Sequence, residues 1–146
     1  MSDPVLDATV HALLPPSNPK PSTGDVANLQ RDDDTTALWM SESQRPVTVR
    51  YSFSNAVDVT GYTVAPPASF NSGAPGWEIS MYRHGMSTDA WNRVYHGAQG
   101  ALWSDSNPVS FDLDAGDVGV IDVTFGVKQR FDQVGFSRFF FRGDAA

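Results

Sequence analysis

The sequence predicts an all-β chain folded as an antiparallel sandwich, and three observations predict it. Several short segments alternate apolar and polar residues with a period of two, PVTVRYSF being the cleanest. Phe, Tyr, Trp and Val fill those segments while Leu is scarce, a composition suited to pleated strands rather than helix bundles. Loops rich in Gly, Pro, Ser and Asn punctuate the segments at short intervals, giving about eight strands.

Residues 1–24 read as an extended proline-rich N-terminal arm, and residues 25–146 as the sandwich domain. The arm contains LLPPSNPKP, and proline supplies no ladder donor, so it is expected to hug an edge, wrapping its own domain or docking on a neighbour. A polar loop with three successive aspartates follows and leads to Trp39. Val47, Val49, Tyr51 and Phe53 then mark one face of a strand whose other face, Thr48, Arg50 and Ser52, is wet. Val57 to Val64 reads as a separate short strand bent at Gly61, and APPASFNSGAPG as a long loop carrying Phe70. Trp77, Ile79 and Met81 alternate in the next strand, a polar loop pivots at Gly85, and a second strand is expected to open at Trp91 and close at Gly97. A Gly-rich loop with Trp103 precedes two alternating runs, VSFDL and VIDVTFGV. The last strand, VGFSRFFFRG, has three consecutive phenylalanines and should be bulged or covered on both faces.

A chain of 146 residues can bury roughly two-thirds of its unfolded surface and needs no staple to fold. With no cysteine, disulfides, thiolate metal sites and cysteine nucleophiles are all excluded. The net charge of −7, with Lys20 and Lys128 the only lysines, opposes a phosphate backbone as partner. No apolar run reaches the length of a signal segment or the ~20 residues of a membrane span, so a soluble product made in the cytoplasm, without membrane insertion, is expected. No G-x-S-x-G elbow or phosphate-cradling glycine loop occurs, and His11, His84 and His96 lack metal-ligand spacing; the chain is read as non-enzymatic.

The order DDDTTALW, VTVRYSF, DVTGYTV, WEISMYRHG followed by Trp91, and a final FFFRG resembles the discoidin or coagulation-factor type C family. These are galactose-binding-like jelly rolls that include many carbohydrate-binding modules. The resemblance spans Asn28 to the end of the chain and is one of pattern, without a single diagnostic motif. It implies a jelly roll and, at the acidic loop, a structural calcium with Asp32 and Asp34 as carboxylate ligands. Two departures bear on that cofactor: Ala37 stands where the family has Thr, and no Glu follows Glu78. Calcium takes six to eight oxygens, so the loop reads equally as a solvated acidic turn.

Sandwiches of this kind grip ligands with loops, and sugars need a flat apolar face together with planar polar groups. Trp103, Phe70 and Tyr82 are the candidates for the face; Arg83, His84, Asn92 and His96 are the candidates for the polar groups. Trp39, Trp77 and Trp91 sit beside apolar alternation and are assigned to the core. Trp103 also fits a lid packed on the domain. The expected function is non-catalytic binding of a surface glycan, on a phage or phage-like particle as a spike, fibre or tail accessory that attaches to host polysaccharide. The alternative is a structural virion protein, a capsid decoration or tail adaptor, packed against other particle proteins in a homo-oligomer without a sugar site.

Overall fold

A computed structural model describes residues 4–13, 29–30, 38–41, 47–65, 76–100, 108–125 and 133–146. Among these the chain is an antiparallel β-sandwich of the jelly-roll kind, with eight strands and no α-helix. Its frame is two long strands: β3, Val47–Ala65, of 19 residues, and β6, Val109–Phe125, of 17 residues. They pair antiparallel from Val47↔Phe125 to Val64↔Val109, with register shifts between Ser52 and Gly61.

Those shifts fold the pair over on itself, because a bulge bends its strand and raises its twist. The first half of β3 and the second half of β6 carry β1 (Thr9–Leu13) on one side and β4 (Gly76–Arg83) with β5 (Arg93–Gly100) on the other. The second half of β3 pairs with β8, Arg138–Ala145. A small separate sheet joins β2 (Leu38–Ser41) to β7 (Gln133–Phe136). Ring contacts show the two layers face to face: Tyr51 meets Phe141 edge-on at 5.0 Å, and Trp77 meets Phe111 at 5.8 Å.

Two pairs of segments that the alternation separates are thus single strands. VTVRYSF and VDVTGYTV are one strand, and so are VSFDL and VIDVTF, joined by bulged corners where loops were expected. The final segment divides instead, at Ser137. Phe139 and Phe141 point into the core with Phe136, while Phe140 is buried on the opposite face beneath the Arg142 guanidinium, 4.9 Å from its ring centre. Both faces of β8 are covered.

The first described residues belong to the sheet. Leu6 is buried and its N–H donates to the Phe141 carbonyl (2.8 Å), Val5 bridges to Arg142, and Thr9–Leu13 pairs with β3. This part of the N-terminal segment lies on its own domain. The core gathers Val49, Tyr51, Val59, Tyr62, Trp77, Ile79, Ile121 and Phe139 around stacked Tyr62 and Phe139 rings 5.5 Å apart. No helix of the described residues is long and apolar enough to cross a membrane.

Candidate functional site

The β4–β5 hairpin has two unlike parts. In its strands, Trp77, Ile79 and Met81 alternate inward, and the Trp77 indole donates to the Tyr62 hydroxyl (3.1 Å). In its turn the polypeptide reverses at Gly85, whose φ of 78° is one that glycine adopts without strain. The Met86 N–H donates to the Arg83 carbonyl (3.2 Å), which closes the first bend. Ser87 donates its hydroxyl to Asp89 (2.7 Å), and the Asn92 amide donates to the Ser87 carbonyl (3.0 Å) and hydroxyl (2.9 Å). A 3-10 turn, Ala90–Asn92, follows from the bond of the Asn92 N–H to the Asp89 carbonyl (2.9 Å).

This turn is fastened to the bulged corner of β6. The His84 N–H donates to the Asp117 carbonyl (2.8 Å), and Asp117, at φ 57°, is held in turn by its own N–H bond to the Asp58 carboxylate (3.1 Å). Gly119 permits the approach: a Cβ there would lie 2.6 Å from the His84 Cα. Side-chain and backbone bonds therefore fix the turn from both sides.

What it holds outward is Trp91, 84% exposed, and Met86 earlier in the same turn is 52% exposed. The assignment of Trp91 to the core is overturned. Ser87, Asp89 and Asn92 favour turns through side-chain bonds to nearby backbone, and they capture Trp91 in the 3-10 turn before the strand begins at Arg93. That S-x-D-x-x-N spacing was the available signal. Trp77 does belong to the core, at 1% exposure. The side chain of Trp39 lies outside what the structure describes.

Of the site residues expected from sequence, Arg83 and His84 lie exposed in this turn, and Tyr82 is half-buried in register with Arg93. Asn92 is also here, with its amide N–H groups engaged in holding the turn. His96 is exposed further along β5, paired with Ser80. Phe70 and Trp103, and the calcium candidates Asp32 and Asp34, lie outside the described residues. Arg83 and His84 mark the end of the hairpin opposite the Gly76↔Gly100 pair. Arg83, His84, Tyr82 and Asn92 thus all lie in or next to the turn that carries Trp91, which the alternation had assigned to the core.

Charge supports an open surface at the turn. Neither Arg83 nor Arg93 has an ion-pair partner among the described residues, so both guanidinium groups remain available to donate. Arg50, in contrast, is bound to Asp122 through two bonds of 2.8 and 2.9 Å on the outward face of the same sheet. That hydrogen-bonded pairing raises its pKa from the ordinary arginine value. Among the described residues no three His, Cys, Asp or Glu side chains gather to hold a metal ion.

No protein-family model and no curated protein matches the sequence. Solved structures do. The F5/8 type C domain of a Bacteroides fragilis protein superposes with a TM-score of 0.68 at 11% identity, covering 99% of both chains. The fold is that of the F5/8 type C and family 32 carbohydrate-binding modules. The family 32 module of C. perfringens NanJ, solved with galactose, gives 0.64 at 14% identity over 92% of each chain. A Streptococcus pneumoniae fucose-binding module gives 0.65 at 9% identity, covering 96% of this chain and 94% of that one.

Proposed function

We propose that this protein is a non-catalytic carbohydrate-binding module whose described glycan-contacting surface is the β4–β5 turn. The observation that carries the reading is a largely exposed indole on a turn fixed by its own hydrogen bonds. An indole left in water forgoes the stabilisation that burial would bring, and ordering the residues that hold it has a further entropic cost. Stacking against the C–H face of a sugar ring uses that exposed, preorganised surface. Arg83, His84 and Arg93, exposed in or next to the same turn, would donate to sugar hydroxyls. The fold shared with modules solved with galactose or named for fucose supports the same reading.

The finer proposal places the module on a phage or phage-like particle, as a spike, fibre or tail accessory binding host polysaccharide. Mass spectrometry of purified particles tests that setting separately from sugar binding. A second reading, a structural particle protein, is favoured by one observation: Met86 and Trp91 are also what a protein neighbour would cover.

A glycan array followed by calorimetry on the best ligand separates the two. The glycan reading expects Trp91→Ala to lower affinity at least about tenfold, with stability unchanged to within about 0.5 kcal/mol. Loss on Trp103→Ala alone would move the site away from the β4–β5 turn. Absence of any glycan signal in the wild-type protein would leave the structural reading.

A further inference from the structure

The main sheet treats its edges unequally. The free side of β8 is closed by the N-terminal segment, through the Val5↔Arg142 bridge, the Leu6 N–H bond to Phe141 and the Gly143 N–H bond to the Pro4 carbonyl (3.1 Å). β1 is short, five residues, and is followed in the sequence by Pro15 and Pro16. Short strands, prolines and covering segments are the devices by which proteins blunt edges. Among the described residues, β5 has none of them. It runs for eight residues, Arg93–Gly100, pairs only with β4 among the described residues, and beyond Arg93 carries no Lys, Arg, Asp, Glu or Pro. Most of its residues are exposed.

We infer that β5 is a dimerisation edge, at which a second copy of this chain adds its own β5 antiparallel across a two-fold axis. The argument for that occupant is in the strand's order of sizes. Two identical strands related by a two-fold axis normal to their sheet must be paired so that one residue faces its own copy. With Gly97 at the axis, His96 faces the partner's Ala98, Tyr95 faces the partner's Gln99, and Val94 faces the partner's Gly100. The bulky half of β5 lies against the small half of its copy, and no two like charges are opposed. Cross-strand pairs of this kind, with the backbone ladder, set both affinity and register.

The same pairing continues β1-β3-β6-β4-β5 into the corresponding five strands of the second copy. His96 and Ala98 lie on the outward face: they pair with Ser80 and Glu78, which alternate with the buried Ile79 and Met81. Both are exposed, so replacing them tests the edge without disturbing the core.

Sedimentation equilibrium over a micromolar concentration series is the test. The wild-type protein should reach twice its 15.9 kDa chain mass. The double variant His96→Glu, Ala98→Glu places carboxylates opposite carboxylates and should sediment as a monomer with an unchanged circular-dichroism spectrum and a still cooperative melting transition, shifted down because position 98 also faces Glu78 and the dimer no longer adds stability. Mixing it with His96→Lys, Ala98→Lys should restore a mixed dimer. A wild-type protein that stays monomeric throughout the series, or a dimer that survives the glutamate pair, overturns the proposal.

Discussion

Two tryptophans on one hairpin have opposite fates. Trp77, in the strand, touches Tyr62, Phe111, Phe136 and Phe139 with ring centres 5.4 to 6.3 Å away and has its N–H satisfied. Trp91, in the turn, has most of its surface in water. The difference is not one of residue type or local hydrophobicity. It lies in whether the neighbouring residues satisfy their backbone through a strand ladder, which sends alternate side chains inward, or through their own side chains, which lets the chain stop and turn. The strands of the hairpin stabilise the molecule, and its turn presents a surface.

The largest effect should come from breaking the strand side of this contrast. Trp77→Ala removes the indole that the aromatic cluster surrounds and leaves the Tyr62 hydroxyl without its donor. A loss of about 3–5 kcal/mol is expected in urea unfolding, a large part of the stability of any single domain. A loss below about 1 kcal/mol would mean that the cluster collapses around the gap and that Trp77 is not its centre.

A smaller effect probes the same cluster by pH. Burial pushes the Tyr62 phenol up to about 12, with the hydrogen bond from Trp77 pulling slightly the other way. Burial also raises the fully enclosed Tyr51 well above the usual tyrosine value. Both hydroxyls are held neutral in the fold, while unfolded tyrosines ionise near ~10. Because the folded values are raised, this contribution is complete below about pH 10 and is lost as pH climbs toward about 12. Tyr62→Phe should cost about 1–2 kcal/mol at neutral pH by orphaning the Trp77 N–H. It should also flatten the alkaline decline when unfolding is followed from neutral pH to about 11. An unchanged slope would show that Tyr62 ionises freely in the folded protein.

Much of the sandwich was legible because its strands obey the period-two rule where one face is buried: Tyr51, Trp77, Ile79, Ile121 and Val123 are all inward, as their alternation implies. The long continuous strands were not, because a bulge inserts residues that break the alternation just as a loop does; Ser54 to Ala56 and Asp114 to Gly119 read as interruptions although they lie within continuous strands. At the candidate site, Arg83 and His84 were singled out by their polarity next to Gly85 and Asn92 by its amide, and the structure places all three in or at the hairpin turn. Trp91 was missed because bulk beside Val94 and Tyr95 suggests a strand, and only the hydrogen bonds of Ser87 and Asn92 show that the strand has not yet begun. A residue's place inside or outside a ladder is decided by non-local pairing, which no window of sequence contains.

The smallest change in stability should come from the residue that sharpens the contrast most. Asn92 is a ligand-contact candidate whose amide donates twice to Ser87, and it is expected to act by positioning Trp91. Asn92→Ala should cost no more than about 1 kcal/mol of global stability, since its bonds are exposed. Its effect should be local: faster hydrogen exchange at the Met86 and Asn92 amides, lower steady-state anisotropy of the Trp91 fluorescence, and weaker glycan binding. A direct ligand contact predicts a different combination, with affinity lost while exchange and anisotropy stay as they were. Those two readouts therefore decide whether the turn is stiff because Asn92 holds it, or whether Asn92 is free to meet the sugar and the Arg83 and Asp117 ends of the loop hold Trp91 by themselves.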